Sequence, residues 1–462
     1  MNHDIVIKNS RVIRFDPDTI DEGCNVGISN GKIVTLSHVD ISGDTVIDGG
    51  GKILSPGFID FHSHVDGKEF SAEIMLRQGA TTTIGGERRF DGKTIRNITN
   101  HGFLINHGFF VSHSFTIRQT AGIIDPYRKA TKKEIDYMCM FAEQFLENGS
   151  FGIHFGLEFV PGTTTEEVIR LAEVSKKYDR TIVIHLRKDG TEGLESLDEV
   201  IEIAKKSGAR VHILHLLYMV GYKGVMEAAL KKIDEAREMG LDITADTGLY
   251  PAFPSCIGSS ILDGDWENHY ANRITEREIM ISSGVYAGQF CDKDMFTFLR
   301  AEFPNTLVTV FACDEEVIEQ ALIKPYVYVS TNGADGPHYE NIGHPETAGT
   351  FPRLISKYVK EKKLLSLTEA IKKITYYPAK RFDIRKKGII EKGYDADIVL
   401  FDYDSFEDIS NYVGYGNPNA SPKGLSHVII NGNLVFDDGK IISPRNMGTH
   451  IYAQSADIFI SG

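Results

Sequence analysis

The middle of the chain alternates short apolar, β-branched runs with amphipathic helical stretches at a period of about 30 residues, and this cadence restricts the fold more than any other feature. A run at Gly152–Glu158 precedes a helical pattern from Thr165 to about Lys177, and further runs follow at Thr181–His185 and Val211–His215. Between Lys223 and Met239, Val225, Ala229, Ile233 and Ala236 fall at three- and four-residue spacing; Gly240 then stops the helix before a run at Asp242–Asp246. Apolar strands separated by helices pair in parallel and are covered on their outer side, so an α/β fold closing as a (β/α)8 TIM-like barrel is expected. Nine runs compete for eight strands, starting near Gly57, Thr81, Phe109, Gly152, Thr181, Val211, Asp242, Leu307 and Tyr326. One of them must lie outside the barrel.

The two ends have a different texture. Alternating apolar runs at Asp4–Phe15, Gly27–Leu36 and Thr45–Leu54 are separated by Gly-rich turns such as Asp48-Gly49-Gly50-Gly51. The same pattern returns after about residue 385, at Ile398–Phe401, His427–Ile430 and Leu434–Phe436, with a turn at Asn431-Gly432. The expectation is a small β-sandwich domain built from residues 1–55 and 385–462, attached to a catalytic barrel over 56–384.

Composition narrows the class of partner. Acidic residues number 64 against 50 basic, a net charge of −14, and no segment gathers Lys and Arg into a stripe that would follow phosphates. Nucleic acid and anionic membrane are therefore not expected as partners. The N-terminus carries no basic region followed by an apolar stretch, and no apolar run approaches the length of a membrane span, so a cytoplasmic protein is expected. Cys24, Cys139, Cys256, Cys291 and Cys313 are scattered and form no C-x-x-C, which argues against both a disulfide framework and a cysteine zinc site.

Chemistry enters at Ser55-Pro56-Gly57-Phe58-Ile59-Asp60-Phe61-His62-Ser63-His64, an apolar strand ending in two histidines one residue apart. On a strand the two-residue period places both rings on one face, and the C-terminal end of a barrel strand is where catalytic groups sit. Alone, His-x-His is a weak signal. It gains weight because His185 and His215 end two further runs, while Asp335 follows Tyr326–Ser330 through a Gly-rich turn. Four imidazoles and a carboxylate would converge at one mouth and share metal ions.

On these residues the chain resembles the amidohydrolase superfamily and, more narrowly, the N-acyl-D-amino-acid deacylases (D-aminoacylases). The likeness extends through Gly79-Ala80-Thr81-Thr82-Thr83, Gly156-Leu157-Glu158-Phe159-Val160-Pro161-Gly162, His185-Leu186-Arg187, Ala334-Asp335-Gly336, His344-Pro345, Gly349-Thr350-Phe351-Pro352-Arg353 and Gly393-Tyr394-Asp395-Ala396-Asp397-Ile398-Val399. The resemblance implies one or two Zn2+ ions, with His185 and His215 holding the tighter one and His62 and His64 supporting a second. It implies Asp335 as general acid and base, and a small acylated amino acid as the substrate; a homo-oligomer is compatible with it.

The family's metal-ligating cysteine is absent, since the segment reads Ile84-Gly85-Gly86-Glu87-Arg88-Arg89. Glu87 is the expected replacement ligand, with Glu158 as the second choice, because carboxylate oxygen also binds zinc. The resemblance places Arg187 on the substrate carboxylate, where its planar fork suits a bidentate pair, and Tyr250 on the scissile carbonyl. His113, with Arg118, is expected near the site as a further substrate contact. The rival reading is a cyclic-amide hydrolase of the dihydroorotase or hydantoinase type; those usually carry an arginine soon after His-x-His, where this chain has Val65-Asp66-Gly67. Deaminases usually place a glutamate three residues after the strand-six histidine, where Tyr218 stands, and a silent scaffold would be expected to lose the histidines.

Overall fold

Eight parallel strands follow one another around a ring in the computed structural model, which describes residues 2–86, 92–270, 273–333, 342–442 and 447–453. They are Phe58–Asp60, Ala80–Gly85, Asn106–Phe109 continuing as Val111–Ser112, Gly152–Gly156, Thr181–His185, Arg210–Ile213, Ile243–Thr247 and Val327–Val329. The first three pair in order, and the second half of the third pairs onward through the eighth. Closure comes from backbone just beyond the eighth and first strands: Asn332 N donates to His62 O at 3.0 Å and His64 N to Gly333 O at 2.8 Å. Fully buried strands of Ile, Val and Phe alternate sides. Ile59, Ile84 and Val183 join one cluster with Phe61, Phe110 and Phe382, while Phe58, Ile153, Ile182 and Ile184 pack in the larger cluster shared with the helices.

The ninth candidate run is Leu307–Val310. It pairs antiparallel with Phe253–Cys256 and Ile279–Ile281 in a separate three-stranded sheet inserted between the seventh and eighth barrel strands. Its apolar pattern is that of a buried strand, and periodicity cannot say which sheet buries it. Gly152 opens the fourth strand at φ +153°, where an added Cβ would stand 1.8 Å from the Thr181 carbonyl oxygen. Only glycine lets the fourth and fifth strands approach there.

Helix Thr165–Lys177 has the bounds its pattern predicts, capped by the Thr164 hydroxyl accepting from Glu167 N at 3.2 Å. Helix Gly193–Ser207 follows the fifth strand, and Val225–Glu238, with Ala229, Ile233 and Ala236 buried, follows the sixth.

Strands from both chain ends meet in one nine-stranded sheet, in which Ile53–Pro56 pairs antiparallel with Ile398–Phe401 and parallel with the first strand, His3–Phe15. Ile398 and Leu400 face a core belonging to this sheet, whereas Val399 and Phe401 join the cluster shared with the barrel. Both faces are therefore apolar, and the sheet is held against the barrel. A polar tether fixes its position: Lys387 Nζ lies 3.0 Å from Asp395 and 2.5 Å from Asp397. Asp397 also accepts from Asn431 N at 2.7 Å and from Asn106 Nδ2, on the third barrel strand, at 3.1 Å. This gives the Gly-Tyr-Asp-Ala-Asp motif a structural role. Among the described residues no helix is long and apolar enough to cross a membrane.

Lys387→Met would leave two carboxylates facing each other without their buried cation, and losing one partner of such a network costs about 3–5 kcal/mol. The expected outcome is a fall of that order in unfolding free energy, read by urea titration.

Candidate metal centre

The strand ends deliver the expected histidines to one place. His185 is the last residue of the fifth strand, His215 follows the sixth by two residues, and His62 and His64 lie just past the first. The rings of His185 and His215 are 4.5 Å apart between centroids, those of His62 and His215 5.1 Å, and those of His62 and His64 6.3 Å. His62 and His64 stand just beyond their strand, where the backbone bonds of His62 O with Asn332 N and of His64 N with Gly333 O hold them in place.

Asp246, buried on the seventh strand, organises this cluster. Its carboxylate accepts from His62 Nδ1 at 3.3 Å, His212 Nε2 at 3.0 Å, the Ser330 hydroxyl at 2.8 Å and His215 N at 2.8 Å. Burial alone would push this carboxyl up, but the His62 charge and the hydrogen bonds from His212 and His62 hold it far below the usual carboxylate range. His215 adopts φ +31°, ψ 57°, a left-handed conformation unfavourable for a non-glycine residue. The Asp246 hydrogen bond to its N–H and the Tyr218 N–H donated to its carbonyl at 2.8 Å secure that geometry. Sequence reading passed over Asp246; its only signal is an acid at the end of the apolar run Ile-Thr-Ala-Asp.

Glu158 sits on a 3-10 turn directly after the fourth strand and accepts from His185 Nε2 at 2.7 Å. Burial pushes its carboxyl up to about 8. Asp60, on the first strand, is likewise pushed up to about 6 by burial, against the lowering effect of the Thr331 hydroxyl that donates to it at 2.6 Å.

Imidazole nitrogen with carboxylate oxygen is a donor set suited to zinc, and two rings sharing one tetrahedral ion have centroids about 5 Å apart, given Zn–N bonds of about 2.0–2.1 Å. The His185–His215 and His62–His215 separations fit that requirement. With Nε2 of His185 engaged by Glu158 and Nδ1 of His62 by Asp246, the opposite ring nitrogen of each is the one that would ligate. Among the described residues no group of three or more His, Cys, Asp or Glu side chains is drawn together at ligand spacing. Glu87 and Asp335, expected as ligand and as general base, both lie outside the described residues.

A cavity of about 660 Å³ opens beside the cluster, lined by His64, His185, His215 and Glu158, with Phe253 and Val308 of the inserted sheet forming another wall. The three expected substrate contacts do not line it. Arg187 makes a bidentate pair with Glu199, Nε and Nη2 each donating at 2.8 Å. The Tyr250 hydroxyl donates to Asp408 at 2.6 Å, and the Arg353 guanidinium covers its ring at 4.4 Å from the centroid. His113 Nε2 is 2.9 Å from Glu167, which also takes Arg118, all three side chains being buried. Each is a polar partner satisfied within the protein. The Gly-Thr-Phe-Pro-Arg motif belongs to helix Glu346–Arg353, where Phe351 packs on Phe58 of the first strand at 5.6 Å.

Residues 327–435 match the model of the amidohydrolase family. It is 27% identical over 445 residues to the N-acyl-D-glutamate deacylase of Alcaligenes xylosoxydans xylosoxydans, covering 89% of each chain. With the D-aminoacylase of the same organism it shares 25% identity over 455 residues and 90% of each. The crystal structure of the N-acyl-D-glutamate deacylase from Bordetella bronchiseptica, complexed with zinc and a phosphonate inhibitor, superposes with a TM-score of 0.84 at 23% identity, over 98% of this chain and 100% of that one.

Asp246→Asn replaces an acceptor for two imidazoles by a group that offers only one oxygen. Zinc affinity is expected to fall about 10–100-fold, as for other changes behind a ligating histidine. Metal content after dialysis beside wild type checks this; unchanged retention would show that Asp246 does not orient the ligands.

Proposed function

We propose that this chain is a zinc-dependent hydrolase of the amide bond in N-acyl-D-amino acids. The observation that carries the reading is the convergence of His62, His185 and His215 from the ends of three different barrel strands, within 5.1 Å of one another between neighbouring centroids. Full-length similarity to deacylases supports the substrate class. His185 and His215 hold the tighter ion, and His62, His64 and Glu87 complete or support a second. When bound, zinc supplies Lewis acidity that activates water near neutral pH. Glu158 fixes the tautomer of His185, and Asp246 does the same for His62. Asp335 takes the proton from the attacking water and delivers it to the departing nitrogen. The closed barrel interior and the inserted sheet exclude bulk solvent around the scissile bond.

The cavity has the volume of a small-molecule site, and five cysteines outside any disulfide fit a reducing, cytoplasmic setting. Assays with N-acetyl-D- and N-acetyl-L-amino acids, hydantoin and dihydroorotate test the reading. Turnover of the D-acyl compounds is expected, lost on chelation and restored by zinc. Turnover of the cyclic amides alone would show the reading to be wrong. Asp335→Asn is expected to lower kcat about 10²–10⁴-fold while zinc content stays unchanged.

A further inference from the structure

The charge of the cavity bears on which acylated amine it takes. Among its described lining residues are three acidic side chains, Glu158, Asp189 and Glu346, and no Lys or Arg. Arg187, the expected anchor for an anionic group, is paired with Glu199 outside this lining.

Glu346 is the most unusual of the three. It opens helix Glu346–Arg353 and is fully buried, at 0% exposure, yet it borders the cavity. The Tyr218 hydroxyl donates to Oε2, and Asn332 stands alongside. Oε1 accepts no hydrogen bond of normal geometry from the described residues. The neighbouring His344 ring is no counter-charge, since burial pushes it down to about 3 and its Nδ1 accepts from Glu346 N at 3.2 Å. Asp189, 5% exposed, takes the Tyr270 hydroxyl. Burial pushes the Glu346 carboxyl well above its usual range, because an ionised carboxylate removed from water is strongly unfavourable without an opposite charge, and a bound cation supplies one. A second carboxylate on the ligand would find no Lys or Arg among the described lining residues to pair with.

We infer that Glu346, with Asp189, is the specificity determinant of this site and selects N-acyl substrates whose amine half carries a positively charged side chain over those with an acidic one. The inference rests on the deacylase reading for the reaction and on the cavity alone for the charge. It separates this chain from relatives whose names specify D-glutamate and D-aspartate.

Two measurements test it. Holoenzyme kcat/KM is compared for N-acetyl-D-lysine, N-acetyl-D-norleucine and N-acetyl-D-glutamate, in wild type and in the near-isosteric Glu346→Gln. The expected order is lysine, norleucine, glutamate, with at least a tenfold span. Glu346→Gln is expected to collapse the lysine-to-norleucine ratio to near one, mainly through KM. Independently of turnover, calorimetry with butylguanidine and pentanol reads side-chain charge alone. Wild type is expected to bind the guanidinium at least tenfold more tightly, and Glu346→Gln to lose that margin. Preference for N-acetyl-D-glutamate, or equal binding of the two probes by wild type, overturns the inference. So does a preference for charge that survives in Glu346→Gln. If the guanidinium margin holds while no N-acyl compound is turned over, the deacylase reading fails and the charge selection stands.

Discussion

The buried carboxylate of Asp246 is the interaction on which the centre depends. It takes hydrogen bonds from residues carried by or just after the first, sixth and eighth barrel strands while itself standing on the seventh. A carboxylate so deeply buried is tolerable only when its acceptor positions are filled, so the strands that supply those donors are held in one register at their C-terminal ends. The unfavourable backbone angles of His215 are a consequence: the residue is bent to present its N–H to Asp246 and its ring to the other histidines. The placement of the histidines proposed as ligands is thereby set by a group that need not touch metal or substrate, the arrangement expected where histidines must be oriented before an ion arrives.

The rest of the architecture serves that point. Parallel strands bring side chains distant in sequence to one rim, and the terminal sheet, tethered through Lys387, Asp397 and Asn106, stands against the barrel wall. The inserted sheet at 253–310 then supplies part of the cavity wall, through Phe253 and Val308. Similarity near a quarter of identical residues is compatible with a shared barrel and a differently charged pocket, because the pocket lies on loops and insertions while the histidines lie at strand ends.

Much of this was legible in the order of residues. The βα cadence predicted the barrel, the helix at Thr165–Lys177 fell on its expected bounds, and His62, His185 and His215 were recognisable from their places after apolar runs. The surplus strand was visible as a surplus but could not be assigned, since Leu307–Val310 has the composition of a barrel strand. The resemblance alone marks Arg187, Tyr250 and His113 as substrate contacts, and the order of residues gives no sign of their partners within the fold. Glu199, Asp408 and Glu167 supply those partners. Glu346 was missed because a carboxylate at the start of a helix ordinarily means only a favourable N-terminus.

By itself, then, the sequence determined the periodicities, which follow from local backbone geometry, and the residue types able to bind a metal, which follow from side-chain chemistry. The tertiary structure alone decided which polar groups are satisfied within the protein and which border the cavity. Those decisions pair residues such as His62 with Asp246, 184 positions apart, or Tyr218 with Glu346, 128 apart. No local pattern encodes them, because their free energy is that of desolvation and appears only when the chain has closed around them.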